Sequence, residues 1–224
     1  MDKRTYLLAL VVAAFLLSTP ASAGVLYDNG SANFGSPLGA WKIYNDGVIN
    51  YAVADSFTLT TASTLTGVGI DLWLSPEDSP VSLDWGISAT PDYSQSLGGG
   101  TVGLPVSGVL CFCGLEFYQV ISSSFSLPNL VLGPGTYYLS FQNGVTRDGS
   151  GLYWDIDNGP SVAYENQLGP VANVNIGGTV YPGSNSDSFT IFGNTSGVPE
   201  PAGTAMFLSG LALVAGLARR KMRA

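Results

Sequence analysis

The stretch Val81-Ser82-Leu83-Asp84-Trp85-Gly86-Ile87-Ser88-Ala89 alternates apolar with small or polar residues along its whole length. A strand repeats its side-chain direction every two residues, so Val81, Leu83, Trp85, Ile87 and Ala89 share one face and the polar set shares the other. The same period recurs where Val68, Ile70, Leu72 and Leu74 alternate with Gly67, Gly69, Asp71 and Trp73. Shorter cases are Phe57 and Leu59; Tyr137, Leu139 and Phe141; Leu152, Trp154 and Ile156; and Phe189 and Ile191. Between Gly24 and Gly197 no 3.6-residue apolar period is sustained. Strands are therefore expected near 53–60, 65–74, 81–89, 101–111, 115–127, 136–142, 151–157 and 186–192. Breakers separate them at Ser75-Pro76, Gly98-Gly99-Gly100, Gly133-Pro134-Gly135, Gly149-Ser150-Gly151 and Asn158-Gly159-Pro160. One apolar and one polar face per strand suits antiparallel sheets packed face to face, which predicts an all-β, jelly-roll-like antiparallel β-sandwich over residues 24–197.

The rest of the composition narrows the chemistry. The chain has 224 residues, 29 of them Gly and 13 Pro, and no histidine. Without imidazole there is no Ser-His-Asp triad, no Cys-His pair and no histidine metal ligand. The formal net charge is −8, from 8 Lys+Arg against 16 Asp+Glu, so phosphate backbones would be repelled and nucleic-acid binding is not expected. The charges are segregated. Residues 24–197 contain only Lys42 and Arg147 as cations beside 14 acids, whereas Lys3, Arg4, Arg219, Arg220, Lys221 and Arg223 lie at the two ends.

Those ends read as export signals. Lys3 and Arg4 precede the apolar run Leu7 to Leu17, Pro20 breaks it, and Ala21-Ser22-Ala23 supplies small residues at the −3 and −1 positions. This order predicts a signal peptide over 1–23, cut by signal peptidase before Gly24. At the other end Val198-Pro199-Glu200-Pro201 leads into the uncharged stretch Ala202 to Ala218 and then the basic tail 219–224. Seventeen helical residues reach about 26 Å, just enough for the hydrocarbon core, and the basic cluster would stay inside by the positive-inside rule. The expected precursor has its body outside, a transmembrane helix over 202–218 in the inner membrane and its tail inside.

The Pro-Glu-Pro motif, the short helix and the terminal Arg cluster together resemble the PEP-CTERM sorting signal over residues 198–224. The resemblance implies export in an exopolysaccharide-producing Gram-negative bacterium and recognition by an exosortase, a membrane-embedded cysteine-type transpeptidase. That enzyme would remove the tail near Pro199-Glu200-Pro201 and leave the body at the cell surface or in the extracellular matrix. Ala54-Asp55-Ser56-Phe57-Thr58-Leu59 and Leu132-Gly133-Pro134-Gly135-Thr136-Tyr137-Tyr138-Leu139 also resemble segments of secreted β-sandwich domains that carry such tails. This second resemblance implies the architecture and no activity.

Within the body three features carry candidate chemistry. Cys111 and Cys113 are the only cysteines; at i and i+2 on a strand their Cα atoms stand about 6.5 Å apart, near the upper limit for a disulfide. An intramolecular bridge, thiols that are free or paired between molecules, and an incomplete metal site all fit. Asp155 and Asp157, beside an Asn-Gly turn, offer two hard oxygens to a structural calcium; the alternative is a solvated polar face. Trp73 shares the polar side of its strand with Asp71, where it could stack on a sugar ring of an extracellular polysaccharide; the alternative is a covered face. Glu77, Glu116, Glu165 and Asp84 are the candidates for a glycosidase acid and base, but no spacing selects a pair. The expected role is therefore a non-enzymatic surface or matrix protein without a required cofactor, with a carbohydrate-binding module as the alternative.

Overall fold

A computed structural model describes residues 23–32, 39–92, 95–113, 118–157, 159–168 and 186–195. The described chain is all-β, with thirteen strands: β1 (Gly24–Asp28), β2 (Ala40–Lys42), β3 (Asn50–Leu59), β4 (Ser63–Leu74), β5 (Pro80–Ser88), β6 (Ser96–Gly103), β7 (Val106–Cys113), β8 (Tyr118–Leu132), β9 (Gly135–Thr146), β10 (Tyr153–Asp157), β11 (Ala163–Leu168), β12 (Ser186–Asp187) and β13 (Phe189–Thr195). The expected signal peptide, apart from Ala23, and the expected sorting tail lie outside the described residues. Among the described residues no helix is long and apolar enough to cross a membrane.

Two antiparallel sheets form. The smaller has the order β11-β3-β9-β5-β6. In the larger, β4 pairs with β8 along one side and with β13 and then β10 along the other, β7 and β1 extend the sheet outward, and β2 and β12 pair with β10. The core between them draws from both: Val53, Phe57, Leu83, Trp85, Ile87, Leu139 and Phe141 from the smaller sheet meet Leu65, Val68, Ile70, Leu72, Trp154, Phe189 and Ile191 from the larger. The alternation in β5 is thus a record of which of its sides faces the second sheet. Val81 is the exception, 48% exposed at the start of β5, where the pairing with β9 shifts register.

At the centre, Trp154 is fully buried, with its ring 4.5 Å from Phe141 and 5.8 Å from Phe189 in edge-on geometry. Its indole N–H donates to the Ser188 carbonyl at 2.9 Å, which satisfies the polar edge of a group that otherwise packs as hydrocarbon.

Four differences from the expected strands have physical causes. Gly98-Gly99-Gly100 does not break the chain but lies inside β6, opposite Ile87, Gly86 and Trp85. A Cβ on Gly99 would sit 2.9 Å from the Trp85 carbonyl oxygen, and one on Gly100 3.6 Å from the Trp85 indole nitrogen. Gly99 thus allows a close backbone approach to Trp85, while Gly100 leaves only ordinary contact, a use of glycine that composition cannot distinguish from a turn. The segment expected as one strand over 101–111 divides into β6, which ends at Gly103, and β7, which crosses to the other sheet. Strands β1, β2 and β11 are too short or too mixed in sequence to show a period. Strand β8 runs through Pro128, which the β4–β8 pairing accommodates with a bulge between Leu65 and Gly67.

Substitution tests this packing. Gly99→Ala is expected to cost about 1–3 kcal/mol of unfolding free energy. Trp154→Ala should cost about 3–5 kcal/mol. Both are read from the shift in the urea midpoint at constant slope.

Candidate functional site

On the outer face of the larger sheet, β2, β10 and β4 bring three residues into one row. Tyr153 pairs with Lys42 on one side and with Trp73 on the other, and directly opposed residues of an antiparallel pair share a face. Tyr118, at the start of β8, lies 6.0 Å from Trp73 and 5.5 Å from Tyr153 between ring centres. Tyr44 lies 5.5 Å from Tyr153 and 6.4 Å from Tyr51. The result is a continuous strip of five half-buried rings, Trp73, Tyr118, Tyr153, Tyr44 and Tyr51. The Lys42 ammonium lies 4.9 Å from the Tyr51 ring centre and 5.9 Å from that of Tyr44, an attraction that fixes the far end of the strip. Burial raises the Tyr153 phenol above its ordinary value, and hydrogen bonding with Tyr44 and Tyr118 raises it further, so this central ring stays uncharged.

Two residues back along β4, Asp71 is buried. Its carboxylate accepts from the Ala32 N–H at 2.8 Å and from the Ser122 hydroxyl at 2.7 Å. It borders a groove of about 440 Å³ whose walls include Gly69, Ser122, Ser124, Ser107 and Phe192. Groove and strip therefore share the outward side of β4. The structure places both expected sugar-contact residues here, Trp73 half-buried in the strip and Asp71 as a buried wall residue. The four tyrosines carried no sequence signal of their own, although Tyr118 and Tyr153 fell within expected strands.

Asp155 and Asp157 project from β10 on the side opposite Trp154 and Ile156, as the alternation requires, but both are buried and neither is a solvated surface acid. Asp155 accepts from the Trp73 indole N–H, so it anchors the strip from beneath. Asp157 is closed over by Gly30, where a Cβ would lie 1.8 Å from a carboxylate oxygen; any side chain there would displace the acid.

A second set of acids was not expected. Asp55 lies on β3 between the core residues Val53 and Phe57, and Asp187 on β12 is paired opposite Ile156; both are fully buried. The Asp55 carboxylate accepts from the Ser56 N–H and the Asp187 N–H, each at 2.6 Å. Burial nevertheless pushes Asp55 up to about 7, with these hydrogen bonds opposing the rise. Asp187 is raised well above the usual carboxylate range by burial, then by the charges of Asp55 and Asp155.

The remaining candidates lie apart. Cys111 is in a disulfide, on the outermost strand of the larger sheet, and the sequence holds one other cysteine. Asp84 on β5 accepts from Thr101 and Asn143, while Glu165 lies on β11 at the far edge of the same sheet and Glu77 in the turn after β4. Glu116 and the residues Ala21, Pro199, Glu200 and Pro201 lie outside the described residues. Among the described residues no three acids or cysteines stand as a ready-made metal centre. Compared with known protein families and with curated proteins, the chain matches no family model and no curated sequence.

The acid pair sets a pH dependence. Asp55 holds its proton to about 7 when folded and to about 3.8 when unfolded, so between those values the folded state binds more protons and stability falls as pH rises. In metal-free buffer the melting temperature is expected to decline from about pH 4 to about pH 8. Asp55→Asn should flatten that decline, as read by differential scanning calorimetry.

Proposed function

We propose that this chain is an exported, non-enzymatic surface or matrix protein whose β-sandwich body binds extracellular polysaccharide through the aromatic strip. The observation that carries the binding role is the run of five contiguous rings beside a groove whose rim includes Asp71, Ser122 and Ser124. Sugar rings present flat C–H faces and peripheral hydroxyls. Tyr and Trp rings supply stacking surface at low entropic cost, and Asp71, Ser122 and Ser124 supply hydrogen bonds at the rim. The half-buried rings favour glycan binding over a purely structural matrix role.

The route to the surface rests on the two ends of the sequence. Strand β1 begins at Gly24, the residue after the expected signal cleavage, and this supports a body that starts there. The PEP-CTERM-like tail then assigns the precursor to the inner membrane and to an exosortase, which would act near Pro199-Glu200-Pro201. The connections support a jelly-roll-like order within the sandwich: β3, β5, β9 and β11 alternate with β4, β7, β10 and β12 between the two sheets. The acidic body, with two cations, suits neutral or cation-bridged glycans and no nucleic acid.

Two experiments test the reading. Co-sedimentation with the producing cell's own polysaccharide should retain the parent, while Trp73→Ala or Tyr118→Ala weakens retention by roughly two- to tenfold each, the value of one aromatic contact. A Trp73→Ala, Tyr118→Ala double variant that binds as well as the parent would remove the strip from the account. Mass spectrometry of the surface-bound protein should find both 1–23 and the 202–224 segment missing, and an intact tail there would remove the exosortase.

A further inference from the structure

The buried pair of acids has an imbalance that hydrogen bonding does not resolve. Asp187 is fully buried, and neither of its carboxylate oxygens has a hydrogen-bond partner. The charges that act on it are those of two other buried carboxylates, Asp55 and then Asp155. The two cations of the body are engaged elsewhere, Lys42 over Tyr51 and Arg147 donating to the Glu77 carbonyl at 2.8 Å. Burying such a carboxylate without compensation costs several kcal/mol, so the site requires a positive charge or a proton. A proton removes the charge but leaves the oxygens without partners.

The neutral groups around the pair are rich in oxygen and short of hydrogen. The Asn29 side-chain nitrogen faces Ser186 Oγ at 2.5 Å, Ser161 Oγ at 2.6 Å, the Asp187 carbonyl at 2.6 Å and an Asp55 carboxylate oxygen at 3.3 Å. An amide nitrogen carries two hydrogens and cannot serve four acceptors. The two serine hydroxyls also lie 2.5 Å from each other. Rotating the amide would turn its oxygen toward the same group, and the Tyr27 hydroxyl, 2.9 Å from the present oxygen, can accept as readily as donate. Oxygens converging at this spacing, with the Asp55 carboxylate among them and the unpartnered Asp187 carboxylate close enough to feel its charge, match the mixed carboxylate, carbonyl and hydroxyl shell of a hard cation. Gly159 keeps the approach clear, since a Cβ there would sit 2.2 Å from the Asn29 carbonyl and 2.8 Å from Ser186 Oγ.

We propose that Asp55 and Asp187, with oxygens of Asn29, Ser161 and Ser186, bind a divalent cation of the calcium class at this end of the space between the sheets. The calcium expectation at Asp155 and Asp157 names different acids, on the neighbouring strand β10, where Asp157 pairs with Ser186. It ties β3 of the smaller sheet to β12 of the larger and to the loop after β1. Its closure is long-range in sequence, so the ion would act as a clamp between sheets.

The test uses the full-length chain in detergent, stripped with EDTA and titrated with CaCl2 at pH 8. One binding event per chain by calorimetry is expected, with a melting temperature raised by roughly 5–10 °C at a hundredfold excess over Kd. Asp187→Asn should abolish both the heat and the shift, and in EDTA should melt no lower than the parent because a buried like charge is gone. Asp55→Asn gives the same reading should Asp187→Asn fail to fold. Asp155→Asn should keep the shift. The proposal is overturned if CaCl2 neither binds nor stabilises the parent, which would assign a proton to the site. It is equally overturned if Asp187→Asn and Asp55→Asn respond to calcium as the parent does, or if Asp155→Asn alone loses the response.

Discussion

The packing of Trp154 against Phe141 joins the two sheets, and much of the rest follows from it. The indole fills the centre of the core and spends its one N–H on the Ser188 carbonyl, at the junction of β12 and β13. With Trp154 facing inward, its neighbours Tyr153 and Asp155 must face outward. Tyr153 then falls in the row with Trp73 and Lys42, and Asp155 under the Trp73 indole. The hold on Ser188 likewise sets Asp187 against Asp55 on one side and seats Phe189 in the core on the other. One buried side chain thus places both the aromatic strip and the acid pair.

The architecture was readable wherever a strand has one apolar and one polar face over several residues, as in β4, β5 and β9. It was unreadable where composition and position conflict. Gly98-Gly99-Gly100 has the look of a turn because glycine is common in turns, yet it lies in β6, where Gly99 passes too close to the Trp85 carbonyl for a side chain. The short strands β1, β2 and β11 hold their places by pairing with longer partners, and pairing leaves no local period. Asp155 and Asp157 looked solvated because polar residues alternating with apolar ones imply an exposed face. Here Gly30 and Trp73 cover that face.

The candidate site was less readable than the fold. Trp73 and Asp71 marked the outer face of β4, but the strip also needs Tyr44, Tyr51, Tyr118 and Tyr153, spread over more than a hundred residues. No spacing rule links them; they meet only because β10 pairs with β4, β4 with β8, and the β2–β3 connection and β3 come alongside. The acid pair joins β3 to β12 across 132 positions, and Asn29 adds a third distant segment. A composition with two cations in the body made the consequence foreseeable in kind: some acids, once buried, would find no basic partner. Which acids these are depends on the topology alone.

Strand β13 ends at Thr195, three residues before Val198, and along its length it is zipped to β4 on one side and to β1 on the other. Tension applied to the chain beyond Thr195 is directed along this strand, so its ladder of backbone hydrogen bonds is loaded in parallel and not opened one at a time. A strand held in shear on both flanks resists extraction far better than one peeled from an edge. Pulled from beyond Thr195, the body would yield as a sheet in shear and not as a strand peeled from an edge.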